Sequence, residues 1–114
     1  MDYTFEKSWS DTLDKISKQF GEKLEYAAIL MLIGAQELGK DHQQFKKDQK
    51  IELMHIGICS VLQQFGYYSY IGRDNDGWPH FERTESLPPL KPEEQELLIR
   101  KAIVKYFDDF AKVK

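Results

Sequence analysis

The sequence has little that is typical of a secreted or membrane-spanning protein. Its 114 residues include a single cysteine, Cys59, so no disulfide can form within the chain, which favours a reducing, cytoplasmic setting. No positively charged start followed by an apolar stretch is present at the N-terminus, so no signal peptide is predicted. The longest apolar run covers residues 26–35, well short of the ~20 apolar residues of a bilayer-spanning helix. We therefore expect a buried helix there and no membrane segment.

Charge of neither sign dominates the chain. The formal net charge is −3, with 31% charged and 41% hydrophobic residues, a composition typical of one globular domain over residues 1–114. This balance does not favour nucleic acid or a membrane surface as a partner. One local basic cluster can contact phosphate or an acidic partner, although acidic neighbours dilute its charge. The cluster comprises Lys40, His42, Lys46, Lys47 and Lys50.

The usual catalytic signatures are missing from the sequence. It has no GxSxG, no glycine-rich phosphate loop and no paired-carboxylate motif, so no catalytic residue and no cofactor is predicted. His55 and Cys59 are four residues apart on a predicted helix and could be two metal ligands. A buried thiol beside a hydrogen-bonded histidine is the commoner arrangement without a CxxC or HExxH motif, so no metal is predicted.

Hydrophobic periodicity predicts an α+β fold that is mostly helical. The predicted helices cover about residues 8–20, 22–38, 48–65 and 92–111, with Asp48 as N-cap of the third. Gly21, Gly39 and Gly66 are the predicted stops of the first three. A weak alternation over residues 2–6 predicts a strand, which with a hairpin over residues 67–85 would form a two- or three-stranded antiparallel sheet.

The second predicted helix is apolar around its whole circumference between residues 26 and 35. Such a helix must be covered on all sides, so it is either the central core helix or part of a homodimer interface. Small residues would let a neighbouring element approach closely at Ala27, Ala28, Gly34 and Ala35.

The most distinctive local stretch is GRDNDGWPHFE, residues 72–82. Aligned as a calcium EF-hand loop on Gly77, it has Gly72 and Arg83 where the first and last ligands belong, so calcium is not predicted. A type I turn on Asn75 and Asp76, with Gly77 in the left-handed region, explains the stretch better. This turn predicts a register in which Ile71 faces Phe81, Gly72 faces His80 and Asp74 faces Trp78.

That register would place bulky side chains on both faces of the hairpin. The face predicted as a ligand or partner surface carries Tyr68, Tyr70, Trp78, His80 and Glu82. The opposite face carries Tyr67, Ile71, Pro79, Phe81 and Arg83. His80 could act as a general base beside Asp74, Asp76 or Glu82, or it could be a strand histidine stacked on Trp78.

The runs MHIGICSVLQQFGYY and GRDNDGWPH resemble a family of small bacterial proteins without an established activity, which pair an MHI…C…L…GYY helix end with a DGWPH hairpin. The resemblance covers the chain from about Tyr26 onward and implies no catalytic role. It implies that one set of residues acts together as a structural or functional unit. These residues are Gly66, Tyr67, Tyr68, Asp76, Gly77, Trp78, Pro79 and His80.

Taken together, the sequence predicts a small cytoplasmic protein-interaction module, acting as a homodimer or as one subunit of an assembly. Its predicted contact surfaces are an exposed aromatic face of the hairpin and the basic connection over residues 40–50. The alternative is a small-molecule ligand binder or an enzyme, with a pocket lined by Tyr68, Tyr70, Trp78, His80 and His55.

Overall fold

A computed structural model describes residues 3–21, 23–39 and 44–113, with side chains described as far as residue 108. The described residues form four helices and one antiparallel hairpin, a mostly helical α+β fold as predicted. In chain order the elements are α1 (Tyr3–Phe20), α2 (Tyr26–Leu38), α3 (Lys47–Gln63), β1 (Tyr68–Arg73), β2 (Pro79–Arg83) and α4 (Pro92–Val113).

The glycine stops are confirmed, whereas the N-terminal strand is wrong. Gly21, Gly39 and Gly66 follow the first three helices with φ of 75°, 82° and 78°, the left-handed conformation that glycine adopts most readily. Residues 3–6 belong to α1, where Phe5 is half-buried one helical turn before the buried residues Trp9, Thr12 and Ile16. The described sheet therefore has two strands.

Three helix starts differ from the prediction, and α1 begins at Tyr3 instead of about residue 8. Helix α2 begins at Tyr26, four residues later than the pattern indicated. Helix α3 begins at Lys47, and the predicted cap Asp48 lies inside its first turn. There the Asp48 carboxylate accepts the N–H of Gln49 at 3.1 Å, while the Gln49 side chain accepts the N–H of Lys46 at 2.8 Å. Side-chain acceptors at the first turn satisfy helix N–H groups that have no partner within the helix.

The chain divides into two compact units, one of which comprises residues 1–26 and 90–114. In this unit α1 packs against α4, and Trp9, Ile16, Ile99 and Ile103 are buried. The Arg100 guanidinium lies 5.3 Å from the ring centre of Trp9 and 5.6 Å from that of Tyr26. It also forms an ion pair with Glu96 at 3.1 Å. Burial, with the Glu96 charge beside it, raises the pKa of Tyr26 to about 12.

The second unit, residues 27–89, is built on a close contact between α2 and α3. A methyl group on Gly34 would overlap the carbonyl oxygen of Leu53, and one on Gly57 would overlap that of Leu30. The two helices therefore touch backbone to backbone at two reciprocal points. Ile29, Leu30 and Ile33 are fully buried within the single chain, so α2 is a core helix, one of the two predicted alternatives.

Candidate functional site

The hairpin register agrees with the predicted one from Gly72 to the turn and is shifted by one residue from Tyr70 back to Tyr68. Gly72 pairs with His80 as predicted, and the N–H of Asp74 donates to the carbonyl of Trp78 at 2.9 Å. Gly77 has φ of 87°, as the predicted turn requires. Tyr70 instead of Ile71 pairs with Phe81, because a bulge between Tyr70 and Gly72 leaves Ile71 unmatched. Glycine at φ 118° makes this irregularity possible at position 72.

The bulge corrects the predicted faces of the hairpin. Tyr68 pairs with Arg83 and Tyr70 with Phe81, and the Tyr70 and Phe81 ring centres are 5.7 Å apart. The two tyrosines therefore share a side with Phe81 and Arg83, not with Trp78, His80 and Glu82. His80 and Glu82 are exposed and Pro79 is buried, so the outward side of β2 is polar. The predicted single exposed aromatic face does not form.

Asp74 holds the turn together through three hydrogen bonds. Its Oδ1 accepts the N–H groups of Asp76 at 2.9 Å and Trp78 at 3.0 Å, and its Oδ2 lies 2.9 Å from Nε2 of His80. Because an ionised carboxylate only accepts hydrogen bonds, Nε2 of His80 carries the proton. The hydrogen bond from His80, followed by that from the Trp78 N–H, lowers the pKa of Asp74. His80 and Asp74 therefore form a turn-stabilising pair.

Arg73 and Trp78 attach the hairpin tip to the helices of the same unit. The Arg73 guanidinium donates to the carbonyls of Glu37 at 2.6 Å, Leu38 at 3.3 Å and Gly77 at 2.8 Å. A cation at the C-terminus of α2 also complements the helix dipole. Trp78 packs on the buried cluster of Ala35, Leu38 and Leu53 together with Met31 and Phe45. Trp78 is thus a structural residue, although the sequence placed it on a ligand surface.

Tyr68 packs on α3 at the other end of the hairpin. Its ring centre lies 6.5 Å from that of His55, and burial raises the pKa of its hydroxyl. His55 Nε2 lies 3.5 Å from the Sγ of Cys59, and burial raises the pKa of that thiol to about 12. The pair is therefore a protonated thiol beside an imidazole. In the described part of the chain, no three histidine, cysteine, aspartate or glutamate side chains are grouped to hold a metal ion.

Three large apolar side chains of this unit are exposed, one on α3 and two on β1. They are Ile51, Tyr70 and Ile71, with 64%, 49% and 60% of their surface accessible. Tyr68 contacts His55 of α3, and Trp78 packs on the buried cluster that includes Leu53 of α3. Ile51 is one helical turn (~5.4 Å) before His55, and Tyr70 is two residues (~6.6 Å) beyond Tyr68. We call these three residues the apolar margin.

Charged side chains of both signs neighbour the apolar margin, and the exposed Asp48 and Glu52 flank Ile51 in α3. Lys47 is one helical turn before Ile51 on the same side of α3, and Arg83 pairs with Tyr68. The Arg83 charge acts on the Tyr68 hydroxyl, lowering its pKa in opposition to burial. Both side chains are exposed, and neither forms an ion pair within the described ranges. Lys40 and His42 of the predicted basic cluster lie outside those ranges.

The sequence predicts a surface that contains Tyr70, and it does not indicate that Ile51 and Ile71 are exposed. The helical spacing of Ile51 from Ile58 and Leu62 predicts a place on the buried face of α3. A signal was nevertheless present, since Lys47, Asp48 and Glu52 surround it and predict the edge of that face. The exposure of Ile71 depends on the bulge, which glycine at position 72 permits but does not require.

Comparison of the chain with protein-family models, with curated proteins and with solved structures finds no match in any of the three. The resemblance noted from the sequence therefore stays a prediction. None of the helices in the described ranges is long and apolar enough to cross a bilayer.

Proposed function

We propose that this chain is a small protein-interaction module that contacts its partner through the apolar margin. The exposure of Ile51, Tyr70 and Ile71 carries the proposal. Single exposed apolar residues are common on monomers, but several on two elements that pack together, as α3 and β1 do, are typical of a binding site. From their exposed fractions the three side chains present about 300 Å², within the range of the largest apolar patches on monomers.

The hairpin presents this margin on a rigid support. Arg73 and Trp78 fix its tip, Asp74 fixes its turn and Tyr68 fixes its base against α3. Contacts held in place before binding lose less conformational entropy when a partner arrives. Tyr70 is also a residue type that is enriched in binding hot spots, because it offers a large area with few rotatable bonds.

The rival proposal of a catalytic His80 is less well supported. The Asp74 oxygens accept bonds from the turn and from His80 itself. Trp78 is packed on the buried cluster. The residues predicted to line a pocket therefore have different surroundings, since some pack on the core and others are exposed. His80 and Glu82 stay exposed on the polar side of β2.

Site-specific photo-crosslinking in the native host tests the proposal. A benzoylphenylalanine replaces Tyr70 in one variant and Ser10, exposed on α1, in a matched control. We expect a discrete protein adduct from position 70 and none from position 10. Absence of an adduct at position 70, or the same adduct at both positions, contradicts the proposal.

The homodimer predicted from the sequence is a separate form of the same proposal. Sedimentation velocity over a hundredfold concentration range distinguishes it from a heterologous partner. A dimer that dissociates on Ile71→Ser, but not on the control Thr4→Ser at an exposed site of α1, supports self-association through the margin. A monomer at every concentration excludes the homodimer and leaves a partner of different sequence.

A further inference from the structure

We propose that Asp76 is a site of spontaneous covalent modification, at which its carboxyl group and the backbone nitrogen of Gly77 close a five-membered imide that reopens as isoaspartate. The reaction needs no enzyme, and water is its only co-reactant. It takes place at the tip of the hairpin and does not depend on the proposed partner contact.

Asp76 differs from the other aspartates of the chain in the residue that follows it. It alone precedes glycine, and the single asparagine, Asn75, precedes an aspartate. The attacking nitrogen belongs to the following residue, so a side chain there hinders ring closure, and glycine has none.

The surroundings of the Asp76–Gly77 bond leave room for the reaction. Asp76 is exposed, and its carboxylate makes no hydrogen bond or ion pair with any residue that the structure describes. Among the described residues, and apart from the chain neighbours of Gly77, no atom lies within 4 Å of the position that a Cβ would take at Gly77. The carboxyl group is therefore free of competing partners, and the attacking side of the bond is not crowded.

The atoms of the reaction balance with one molecule of water. The nitrogen of Gly77 forms a bond to Cγ of Asp76 and loses its proton, while the carboxyl group in its acid form loses a hydroxyl, so one water leaves. Water then adds to one of the two imide carbonyls. Opening at Cγ restores aspartate. Opening at the backbone carbonyl leaves the chain running through the side chain of residue 76, with one extra carbon in the backbone and no change in oxidation state.

The folded turn holds the attacking nitrogen in another bond. The N–H of Gly77 donates to the carbonyl of Asp74 at 3.0 Å, and Oδ1 of Asp74 accepts the N–H groups of Asp76 and Trp78. Ring closure requires the Gly77 nitrogen to leave its bond and to approach Cγ of Asp76. The reaction therefore proceeds when the turn opens locally, and Asp74 sets how often this happens.

Isoaspartate at position 76 does not fit the present turn. The N–H of Asp74 donates to the carbonyl of Trp78 at 2.9 Å, and the loop between these two residues contains the Asp76–Gly77 bond. One additional backbone carbon in so short a loop changes the spacing that this hydrogen bond requires. We therefore expect the modified tip to lose the packing of Trp78 on the buried cluster.

Isoaspartate mapping of the aged protein tests the inference on the full chain. One sample is held for several weeks in neutral buffer and another in guanidinium chloride. Isoaspartate is labelled by a protein isoaspartate methyltransferase and located by peptide mass spectrometry. We expect label at position 76 and background levels at every other aspartate, with formation slower in buffer than in denaturant on the order of tenfold. No label at position 76 of the folded chain, equal label at other aspartates, or equal rates in the two samples overturns the inference.

Substitutions in the turn test the role of Asp74. Asp76→Glu requires a less readily formed six-membered ring and should abolish the label. Asp74→Ala removes the acceptor of two N–H groups and should speed formation at position 76 about tenfold. Asp48→Ala, at an exposed site of α3, is the matched control and should leave the rate unchanged.

Circular dichroism establishes that the variants keep their helices. If Asp74→Ala loses them, Asp74→Asn replaces it, with acceleration expected again because the amide is a weaker acceptor than the carboxylate. An unchanged rate in the folded Asp74 variant, or the same acceleration in Asp48→Ala, contradicts control of the reaction by the turn.

Discussion

At the scale of single residues, hydrogen bonds and burial decide which candidate side chains are free to bind. Asp74 is committed to its turn by bonds to two N–H groups and to His80. Cys59 is fully buried, and its thiol pKa rises to about 12, so it behaves as a small apolar side chain. Ile71 is the opposite case, since the bulge removes it from the strand pairing and leaves it 60% exposed.

The environment of Cys59 predicts slow alkylation of the native protein. Only the thiolate reacts, and a shift of the pKa from 9.0 to about 12 lowers the thiolate fraction at pH 8 on the order of a thousandfold. Iodoacetamide labelling followed by mass spectrometry should therefore be far slower in buffer than in denaturant. Equal rates in the two conditions would show that Cys59 is accessible and ionisable in the folded chain.

The turn predicts a loss of stability in acid that depends on Asp74. The pKa of Asp74 is lowered from 3.8 in the folded state. Its contribution to the free energy of unfolding is therefore complete above pH 3.8 and disappears as the pH falls through the lower pKa of the folded state. Urea unfolding between pH 2.5 and 7 should show a smaller acid-side decline for Asp74→Asn than for the wild type. Asp76→Asn in the same turn is the control. If both variants show the same reduced decline in stability at low pH, ionisation of Asp74 is not its cause.

At the scale of elements, two glycines set the distance between α2 and α3. Gly34 faces the Leu53 carbonyl and Gly57 faces the Leu30 carbonyl. Neither residue is needed for its backbone conformation, because both lie within regular helix. The sequence indicated close approach at Gly34 but gave no signal for Gly57, since a glycine inside a helix looks the same whether it faces solvent or a neighbouring backbone.

The close contact at Gly57 predicts that an alanine substitution there lowers the stability of the chain. Alanine stabilises an exposed helix position by ~1 kcal/mol relative to glycine, yet Gly57→Ala should destabilise this chain by about 2 kcal/mol because the two helices must move apart. Chemical unfolding measures the difference. Gln63→Ala, at an exposed position of the same helix, is the control and should change stability little. A stabilised Gly57→Ala would mean that α3 is not in contact with α2 at this point.

Arg73 links two further elements, the hairpin tip and the C-terminus of α2. Replacing it with lysine removes the planar group that reaches the carbonyls of Glu37 and Leu38. We expect Arg73→Lys to cost about 1 kcal/mol and to increase amide exchange in residues 68–83 more than in α3. The matched variant is Arg83→Lys, because among the described residues Arg83 makes one long hydrogen bond, of 3.5 Å, to the Leu87 carbonyl. Similar exchange in both variants would contradict the role of Arg73.

At the scale of the whole molecule, the predictable features are those that depend on local periodicity and on glycine. The fold class, the three helix stops and the turn at Gly77 follow from them. The bulge could not be predicted, because the pairings Ile71–Phe81 and Tyr70–Phe81 both match apolar with aromatic and local preference cannot separate them. Because of this bulge, Tyr68 and Tyr70 lie on the other side of the hairpin from His80 and Glu82. The candidate surface is therefore the apolar margin and not one face of the hairpin.

The measurement that tests the central claim most directly compares the two sides of the hairpin. Benzoylphenylalanine is placed at Tyr70, on the margin, and at His80, which is exposed on the polar side. Each variant is irradiated in the native host, and adduct yield is quantified by immunoblot. We predict an adduct from position 70 that exceeds any from position 80 and that is lost when Ile71→Ser is added. An adduct from position 80 alone, or one from position 70 that Ile71→Ser leaves unchanged, would contradict the claim that the apolar margin is the contact surface.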